Sequence, residues 1–311
     1  MLRFLSIRIL QGIFVVLTIS FLSFLAINFE PGGFFDQLKL NPSVSKETIK
    51  QLEAFYGLDK PLLIRYIDWL SNALRFNLGY SIEYNESVKK LILERIPNTL
   101  MVSVPSAFLS WSIAFFIGVL SAFKKDTKLD KFLQGLAYIS MSIPSFVMGF
   151  LIMMFFYQTH LINISDMLSG VNIKHLVLPV SALVLSSFGG LSRLVRANVI
   201  EILNSPIYIF LKASKVNKGV VVWHVLRNAM PPFIVLLGYE LSSLISGAAL
   251  VEIVTNWPGM GLLILNAVLS KDLFLVMGSL YVGSIMLILG NIIADVLLFI
   301  NDPRIKRDTI F

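Results

Sequence analysis

The sequence contains no cysteine and little charge: only 14% of its 311 residues are Asp, Glu, Lys or Arg. The lack of cysteine excludes disulfide bonds and thiolate metal sites. Hydrophobic residues make up 56% of the chain and the mean hydropathy is +0.78. Because soluble domains usually carry about 25% charged residues, this composition excludes an ordinary soluble protein and indicates an integral membrane protein.

The sequence also lacks the motifs of several enzyme classes. It has no GxxxxGK[ST] phosphate-binding loop, no HExxH zinc motif and no close cluster of His, Asp and Glu. We therefore expect a chain that is not an enzyme, with no catalytic residue, no metal site and no cofactor of its own. The net charge of +7 comes without an aromatic-interleaved basic groove, so we expect no nucleic-acid partner.

Long apolar runs predict an all-α membrane protein with six transmembrane helices. A helix needs about 20 apolar residues to cross the bilayer, and lipid offers no hydrogen-bond partner to an open backbone. The alternation typical of a membrane β-barrel is absent from the sequence. The predicted spans are residues 7–29, 100–123, 132–159, 176–191, 232–254 and 274–300.

The distribution of basic residues predicts that both termini are cytoplasmic. With that orientation the inner segments hold fifteen Lys and Arg residues, whereas the two short outer loops hold only Lys174 and Lys271. This is the bias that the positive-inside rule describes. We predict four parts: the first transmembrane helix (1–30), an extracytoplasmic amphipathic-helical segment (31–98), a five-helix transmembrane domain (99–301) and a cytoplasmic tail (302–311).

One polar stretch, residues 193–229, interrupts the apolar second half of the chain. It holds six Lys and Arg residues against one acid, Glu201. Ser205 and Pro206 are typical of a helix start, as N-cap and first helical residue. We predict one short helix from there to about residue 215, a break at 217–219, and a second helix up to Pro231. An ordinary basic loop obeying the positive-inside rule remains the alternative.

Several short motifs resemble those of one transporter family. The polar stretch resembles the cytoplasmic EAA-type loop of ABC importer permeases of the dipeptide/oligopeptide/nickel branch. The matching pieces run in the same order along nearly the whole chain: Glu30-Pro31-Gly32, Gly57-Leu58-Asp59-Lys60-Pro61, Asn77-Leu78-Gly79-Tyr80-Ser81, Glu94-Arg95-Ile96-Pro97-Asn98-Thr99-Leu100, Ser142-Ile143-Pro144-Ser145-Phe146, Leu178-Pro179, Lys212-Ala213-Ser214, His224-Val225-Leu226-Arg227-Asn228-Ala229-Met230-Pro231, Glu252, Trp257-Pro258-Gly259-Met260-Gly261, Asn291 with Asp295, and Asp302-Pro303-Arg304.

The resemblance implies the type I ABC importer permease fold with a helical insertion after the first span. It implies a prokaryotic inner-membrane subunit that forms half of a translocation pathway. The partners would be a second, homologous permease, two ATPase subunits that use ATP and Mg, an extracytoplasmic substrate-binding protein and membrane lipid. Peptides are the first expectation for the cargo, and nickel or another small solute is the alternative.

The resemblance also assigns candidate site residues. It places the contact with an ATPase in the polar stretch, where a rigid helix would transmit movement to the spans. The candidate coupling residues are Tyr208, Lys212, Ala213, Ser214, Gly219, His224, Arg227 and Asn228. The chain departs from the family at Ser214, where glycine is usual. Either serine serves at that turn, or the turn has shifted toward Gly219.

Polar residues within the predicted spans form the second group of candidates. Glu240, Asn291 and Asp295 are costly at membrane depth, so each should face a neighbouring helix or an aqueous path. Both interpretations, interhelical hydrogen bonding and a polar translocation pathway, stay open. An ion-coupled secondary transporter using Glu240 and Asp295, or a membrane assembly protein, are less favoured alternatives.

The Trp257, Pro258 and Gly259 sequence forms the third candidate. These residues predict a tight turn in an outer loop. From the family resemblance, the turn is a candidate extracytoplasmic gate or contact for the binding protein.

Overall fold

The computed structural model describes residues 2–29, 47, 60–160, 170–214, 216–217, 219–229 and 248–301. Within these ranges the chain is helical apart from one short hairpin, as the predicted all-α class requires. The elements are α1 (Leu2–Phe29), α2 (Leu62–Ala73), β1 (Tyr80–Ser81), β2 (Glu86–Ser87), α3 (Val88–Phe123), α4 (Lys128–Ser142), α5 (Ser145–Gln158), α6 (Ile173–Leu203), α7 (Pro206–Ala213), α8 (219–229), α9 (Ala249–Val254), α10 (Met260–Leu269) and α11 (Leu273–Asn301).

Four described helices are long and apolar enough to cross a membrane. They contain the segments Ser6–Phe29, Val88–Phe123, Ile173–Leu203 and Leu273–Ile293. A fifth span exists if α4 and α5 cross together, although they meet at an angle of 104°. The predicted span at 232–254 lies outside the described residues except for its last turns, as does the predicted tail at 302–311. Six spans therefore remain a prediction.

The helix α3 is longer than the sequence predicted. Its 36 residues pass through Pro97 and Pro105, joining the end of the predicted amphipathic-helical segment (31–98) to the predicted span at 100–123. The predicted division between residues 98 and 99 therefore falls inside one continuous helix. Within the predicted amphipathic-helical segment, α2 is a helix, whereas residues 31–59 lie outside the described residues apart from residue 47.

The helix α6 also continues beyond its predicted end. We expected the fourth span to end at residue 191 and the polar stretch to begin at Arg193, but α6 continues to Leu203. Close packing against α4 explains why residue 189 inside this helix is glycine: a Cβ there would lie 2.4 Å from the Ala137 carbonyl oxygen of α4. The first third of the predicted loop is thus part of a membrane helix.

Among the described residues, three apolar clusters join the helices. The largest joins α1, α2, the start of α3, α10 and α11 at the end of the molecule where the β-hairpin lies. A second lies at the opposite end and joins α3 and α6 to the polar stretch, and a third joins α5, α6 and α9. The most extensive contact between two helices is the one between α3 and α6.

Candidate functional site

After the end of α6, the rest of the polar stretch forms two short helices, α7 and α8, where the sequence predicts two helices. Ser205 caps α7, accepting a hydrogen bond from the Tyr208 N–H, and Pro206 is the first helical residue. α7 ends at Ala213, two residues before its predicted end. Asn217 then accepts a hydrogen bond from the Gly219 N–H at the start of α8.

Ser214 fits the end of α7 without strain. Its φ of −75° is one that any residue adopts, and both its N–H and its hydroxyl donate to the Phe210 carbonyl oxygen at 2.9 Å. Serine therefore serves at the position where glycine was expected. Gly219, the other position considered for this turn, has no left-handed φ.

The two helices are fixed to the membrane helices on one side. Val225 and Ala229 of α8 are fully buried, and Tyr208 of α7 packs beside them. They contact a cluster whose other buried members are Trp111, Ala122, Val195 and Val199 of α3 and α6. α7 and α8 therefore rest on the core and are positioned by it.

The opposite side of the helices is apolar and exposed. Phe210 is 69% exposed and Trp223 is 66% exposed, and Ile207, Ile209 and Val220 are more than half exposed. Of the candidate coupling residues, Lys212, Ala213, Ser214, Gly219, Arg227 and Asn228 are exposed and His224 is half-buried. An apolar, cationic patch of this kind is typical of a protein interaction surface. We call the exposed side of α7 and α8 the coupling surface.

A buried ion pair connects the segment that leads into this surface with α4. Asp130 is 1% exposed and accepts two hydrogen bonds from the Arg196 guanidinium, at 2.9 Å from Nε and 2.8 Å from Nη2. The Ser121 hydroxyl, the Asp126 N–H and the Gln134 amide also donate to this carboxylate. The ion pair thus joins α3, α4 and α6 about two and a half helical turns before α7.

Sequence reasoning missed this ion pair. Asp130 and Arg196 are 66 positions apart, and each lies in a segment whose charges the positive-inside rule already explains. The one local signal is Thr127, which caps α4 and accepts from the Asp130 N–H. That signal places Asp130 in the first turn of a helix and gives no information about its partner.

At the other end of the molecule, three of the family-like motifs meet at the turn between α9 and α10. The Trp257 indole N–H donates to the Asn98 carbonyl oxygen at 2.9 Å. Arg95 and the Asn98 amide donate to the Pro258 carbonyl oxygen, and the Met260 N–H donates to Thr99. The turn is therefore attached to the first turns of α3.

Buried groups also hold the turn between α9 and α10. Glu252 is fully buried and accepts from the Gly261 N–H at 2.7 Å. A Cβ on Gly259 would lie 2.4 Å from this carboxyl group, which is why glycine is required there. Trp257 is 0% exposed, so it offers no surface to a binding protein in this conformation. A gate that includes Trp257 remains compatible with this geometry.

Of the three intramembrane candidates, the structure describes Asn291 and Asp295. Asp295 forms an ion pair with Arg8, at 2.9 Å between the carboxylate and Nε, and this joins α11 to α1. Asn291 lies one turn earlier on α11 and is exposed. Glu240 lies outside the described residues. In the described part of the chain no three His, Asp or Glu side chains are grouped as metal ligands.

Comparison with known proteins gives the family. Residues 114–307 match the family described as binding-protein-dependent transport system inner membrane component, and residues 1–103 match the N-terminal part of such components. The chain belongs to this family. It is a permease component of ABC importers, which work with partner ATPases and a binding protein, and it is a multi-pass membrane protein.

Three relatives cover nearly the full length of the chain. The oligopeptide transport system permease protein AppB of Bacillus subtilis is 32% identical over 96% of this chain and 98% of its own length. A putative peptide permease protein of Brucella suis is 33% identical over 98% of this chain and 99% of its own. The nickel import system permease protein NikB of Staphylococcus aureus is 32% identical over 96% of this chain and 90% of its own.

Proposed function

We propose that this chain forms half of the translocation pathway of an ATP-driven peptide importer. It pairs with a second, homologous permease in a heterodimer of six-span subunits, with both termini in the cytoplasm. Two ATPase subunits bind the cytoplasmic side, and a binding protein delivers the peptide to the other side. The chain itself performs no chemistry, and ATP and Mg are bound by the ATPase subunits.

The observation that carries this proposal is the coupling surface. An exposed apolar helix is unfavourable in water. α7 nevertheless presents Ile207, Ile209 and Phe210 to the surroundings while its other side rests on the core. A groove on an ATPase subunit would bury these side chains. Closure of the ATPase dimer would then move α7, and the packed contacts of α8 and α6 would carry the movement to the spans.

A cysteine crosslink tests this assignment. Because the chain has no cysteine, Ala213→Cys introduces a single thiol at an exposed position of α7. We expect it to crosslink to a co-purified ATPase subunit with a short bifunctional reagent. Glu83→Cys is the matched control. Glu83 is exposed in the β-hairpin at the opposite end of the molecule, so its thiol should give no crosslink to an ATPase subunit. If thiols at 207, 209, 210 and 213 all fail to crosslink, the docking proposal is wrong.

Peptide is proposed as the cargo because two of the relatives described above are named as peptide permeases. Nickel is the second candidate, on the similarity to a nickel permease. Uptake by cells that lack and then regain this chain separates them. Restored uptake of a labelled tripeptide supports the proposal, whereas restored uptake of Ni²⁺ alone would replace it with the second candidate.

A further inference from the structure

A cavity of about 750 Å³ lies where α2 rests on α1 and α11. Its apolar lining includes Phe24, Trp69, Leu273 and Met277, and the basic residues Lys60 and Arg65 also line it. The cavity is far from the coupling surface, at the end of the molecule where α1 ends and α11 begins. It is partly open to the surroundings, so a ligand could enter from outside the helix bundle.

Two residues that line this cavity, Arg65 and Trp69, carry hydrogen-bond donors for which no acceptor is found among the described residues. The Arg65 guanidinium is half-buried and lies 5.7 Å from the centre of the Phe24 ring, and it forms no ion pair with a described carboxylate. Asp68, which also lines the cavity, pairs instead with Lys60 at 2.6 Å. Burial lowers the pKa of the Arg65 side chain, as expected for a cation that has lost water.

The second donor is the indole N–H of Trp69, whose side chain is 6% exposed. Its ring is fixed by Tyr66 and by an edge-to-face contact with Tyr281, whose ring centre lies 5.7 Å away. Trp69 cannot easily turn to find another partner. Arg65 and Trp69 are four residues apart on α2, so they lie on the same side of the helix. A buried donor without an acceptor is costly, and the cationic Arg65 guanidinium favours a ligand oxyanion on this side of α2.

The surroundings identify the kind of anion. Among the four long spans, α1 has the smallest buried share, 17%, compared with 33–44% for the others. Within the described part of the chain it is therefore the least enclosed of these four helices. The side of α2 turned away from the core is also apolar, with Leu63, Ile67 and Leu74 each more than 60% exposed. These features are typical of a helix lying in the membrane interface.

We propose that this cavity binds a membrane phospholipid. Arg65 pairs with the lipid phosphate, the Trp69 indole N–H donates to one of its oxygens, and an acyl chain covers Phe24 and Met277. An occupied site would fasten α2 to α1 and α11. This inference goes beyond the proposed transport function and needs only that the chain lies in a membrane, so its outcome does not depend on the cargo.

The test uses the complete complex, purified in detergent and depleted of lipid. Dioleoyl phosphatidylglycerol is titrated in, and binding is followed by the shift of the thermal midpoint and by native mass spectrometry. We expect saturable binding that Arg65→Gln weakens at least tenfold and Trp69→Phe severalfold. Arg75→Gln is the matched control, because Arg75 is an exposed arginine outside the cavity and its loss should leave binding unchanged.

Brominated phosphatidylglycerol gives a second readout that does not require Arg65→Gln to fold. It should quench part of the tryptophan fluorescence in the wild type, and that part should disappear in Trp69→Phe. Dioleoylglycerol, which lacks phosphate, should not compete. The proposal is overturned if Arg65→Gln and Arg75→Gln bind the lipid equally, if inorganic phosphate binds as tightly as the lipid, or if a tripeptide displaces it.

Discussion

Gly189 and Gly190 are adjacent in α6 but have opposite surroundings. A Cβ at Gly189 would lie 2.4 Å from the Ala137 carbonyl oxygen and 2.7 Å from the Ser140 side chain. At Gly190 no atom of the described residues lies within 4 Å of such a Cβ. Ser140 also donates to the Leu185 carbonyl oxygen and accepts from the Gly189 N–H, so α4 and α6 approach closely at this point.

This contrast predicts opposite effects of the same substitution. Gly189→Ala should lower the thermal midpoint of the purified protein, because α4 and α6 must separate. Gly190→Ala should leave it unchanged or raise it, since alanine is favoured over glycine in a helix by about 1 kcal/mol. Thermal unfolding of both variants in the same detergent is the measurement. Equal midpoints would contradict the close packing at Gly189.

The ion pair between Asp130 and Arg196 allows a second prediction at the residue scale. Arg196→Gln leaves the Asp130 carboxylate buried without its cation, and breaking such a pair costs roughly 3–5 kcal/mol. We expect a clear loss of stability and a weaker link between α6 and α4. In the assembled importer, transport should fall more than ATP hydrolysis does, because the movement of α7 reaches α4 less completely.

Arg193→Gln is the control for this prediction. Arg193 lies one turn earlier on α6, is exposed, and contacts the Tyr138 ring at 4.5 Å. Its loss should have a small effect. The double variant Asp130→Asn, Arg196→Gln should be more stable than Arg196→Gln alone, because it leaves no unpaired charge buried. If Arg196→Gln gives the same ratio of transport to ATP hydrolysis as Arg193→Gln, the ion pair has no role in transmitting the movement of α7.

At the scale of elements, the exposed side of α7 predicts a separable defect. Ile209→Glu places a charge in the middle of the coupling surface, at a side chain that is 59% exposed. The permease should fold normally, because nothing in its own core depends on Ile209. It should lose its ATPase subunits, since a charge in an apolar groove is not compensated.

Co-purification of the tagged permease measures this effect. Asn204→Asp is the matched control, because it adds one negative charge at an exposed position two residues before α7. That variant should retain the ATPase subunits. If Ile209→Glu retains them equally well, α7 is not the docking element.

The same elements show why prediction from the sequence succeeded only in part. Ser205 and Pro206 start α7 through contacts within one helical turn, so the local sequence was sufficient to predict it. The ends of α3 and α6 depend on distant parts of the chain. Pro97 reads as a helix end, yet contacts from Arg95, Asn98 and Thr99 to residues near 258 hold the helix on both sides of it.

The candidate site shows the same division. The exposed apolar residues of α7 could be read from the sequence, whereas the burial of Trp257 could not. Trp257 is enclosed by residues from three segments, with Asn98 accepting from its indole and His175 packed against its ring edge-on at 5.1 Å. Only the tertiary arrangement brings these residues together.

At the scale of the whole molecule, the two ends of the helix bundle hold different elements. The end with α7 and α8 also holds the basic segment at 124–131 and the ion pair of Arg8 with Asp295. The other end holds the β-hairpin, whose position is fixed by Asp272. That buried carboxylate accepts from the Ser81 hydroxyl at 2.6 Å and from the Ile82 N–H at 2.8 Å. Each end therefore offers exposed positions, and their accessibility to a reagent added outside the cell can be compared.

Single cysteines in this cysteine-free chain test which end faces the cytoplasm. Lys125→Cys and Glu83→Cys each place one thiol at an exposed position, one at each end. A membrane-impermeant maleimide added to intact cells, with the outer membrane permeabilised where one exists, should label Glu83→Cys and spare Lys125→Cys until the inner membrane is opened. The reason is the charge bias: Lys125 lies in a segment with four lysines, which the positive-inside rule keeps in the cytoplasm. Labelling of Lys125→Cys in intact cells would reverse the orientation, and would place the coupling surface on the side where no ATP is available.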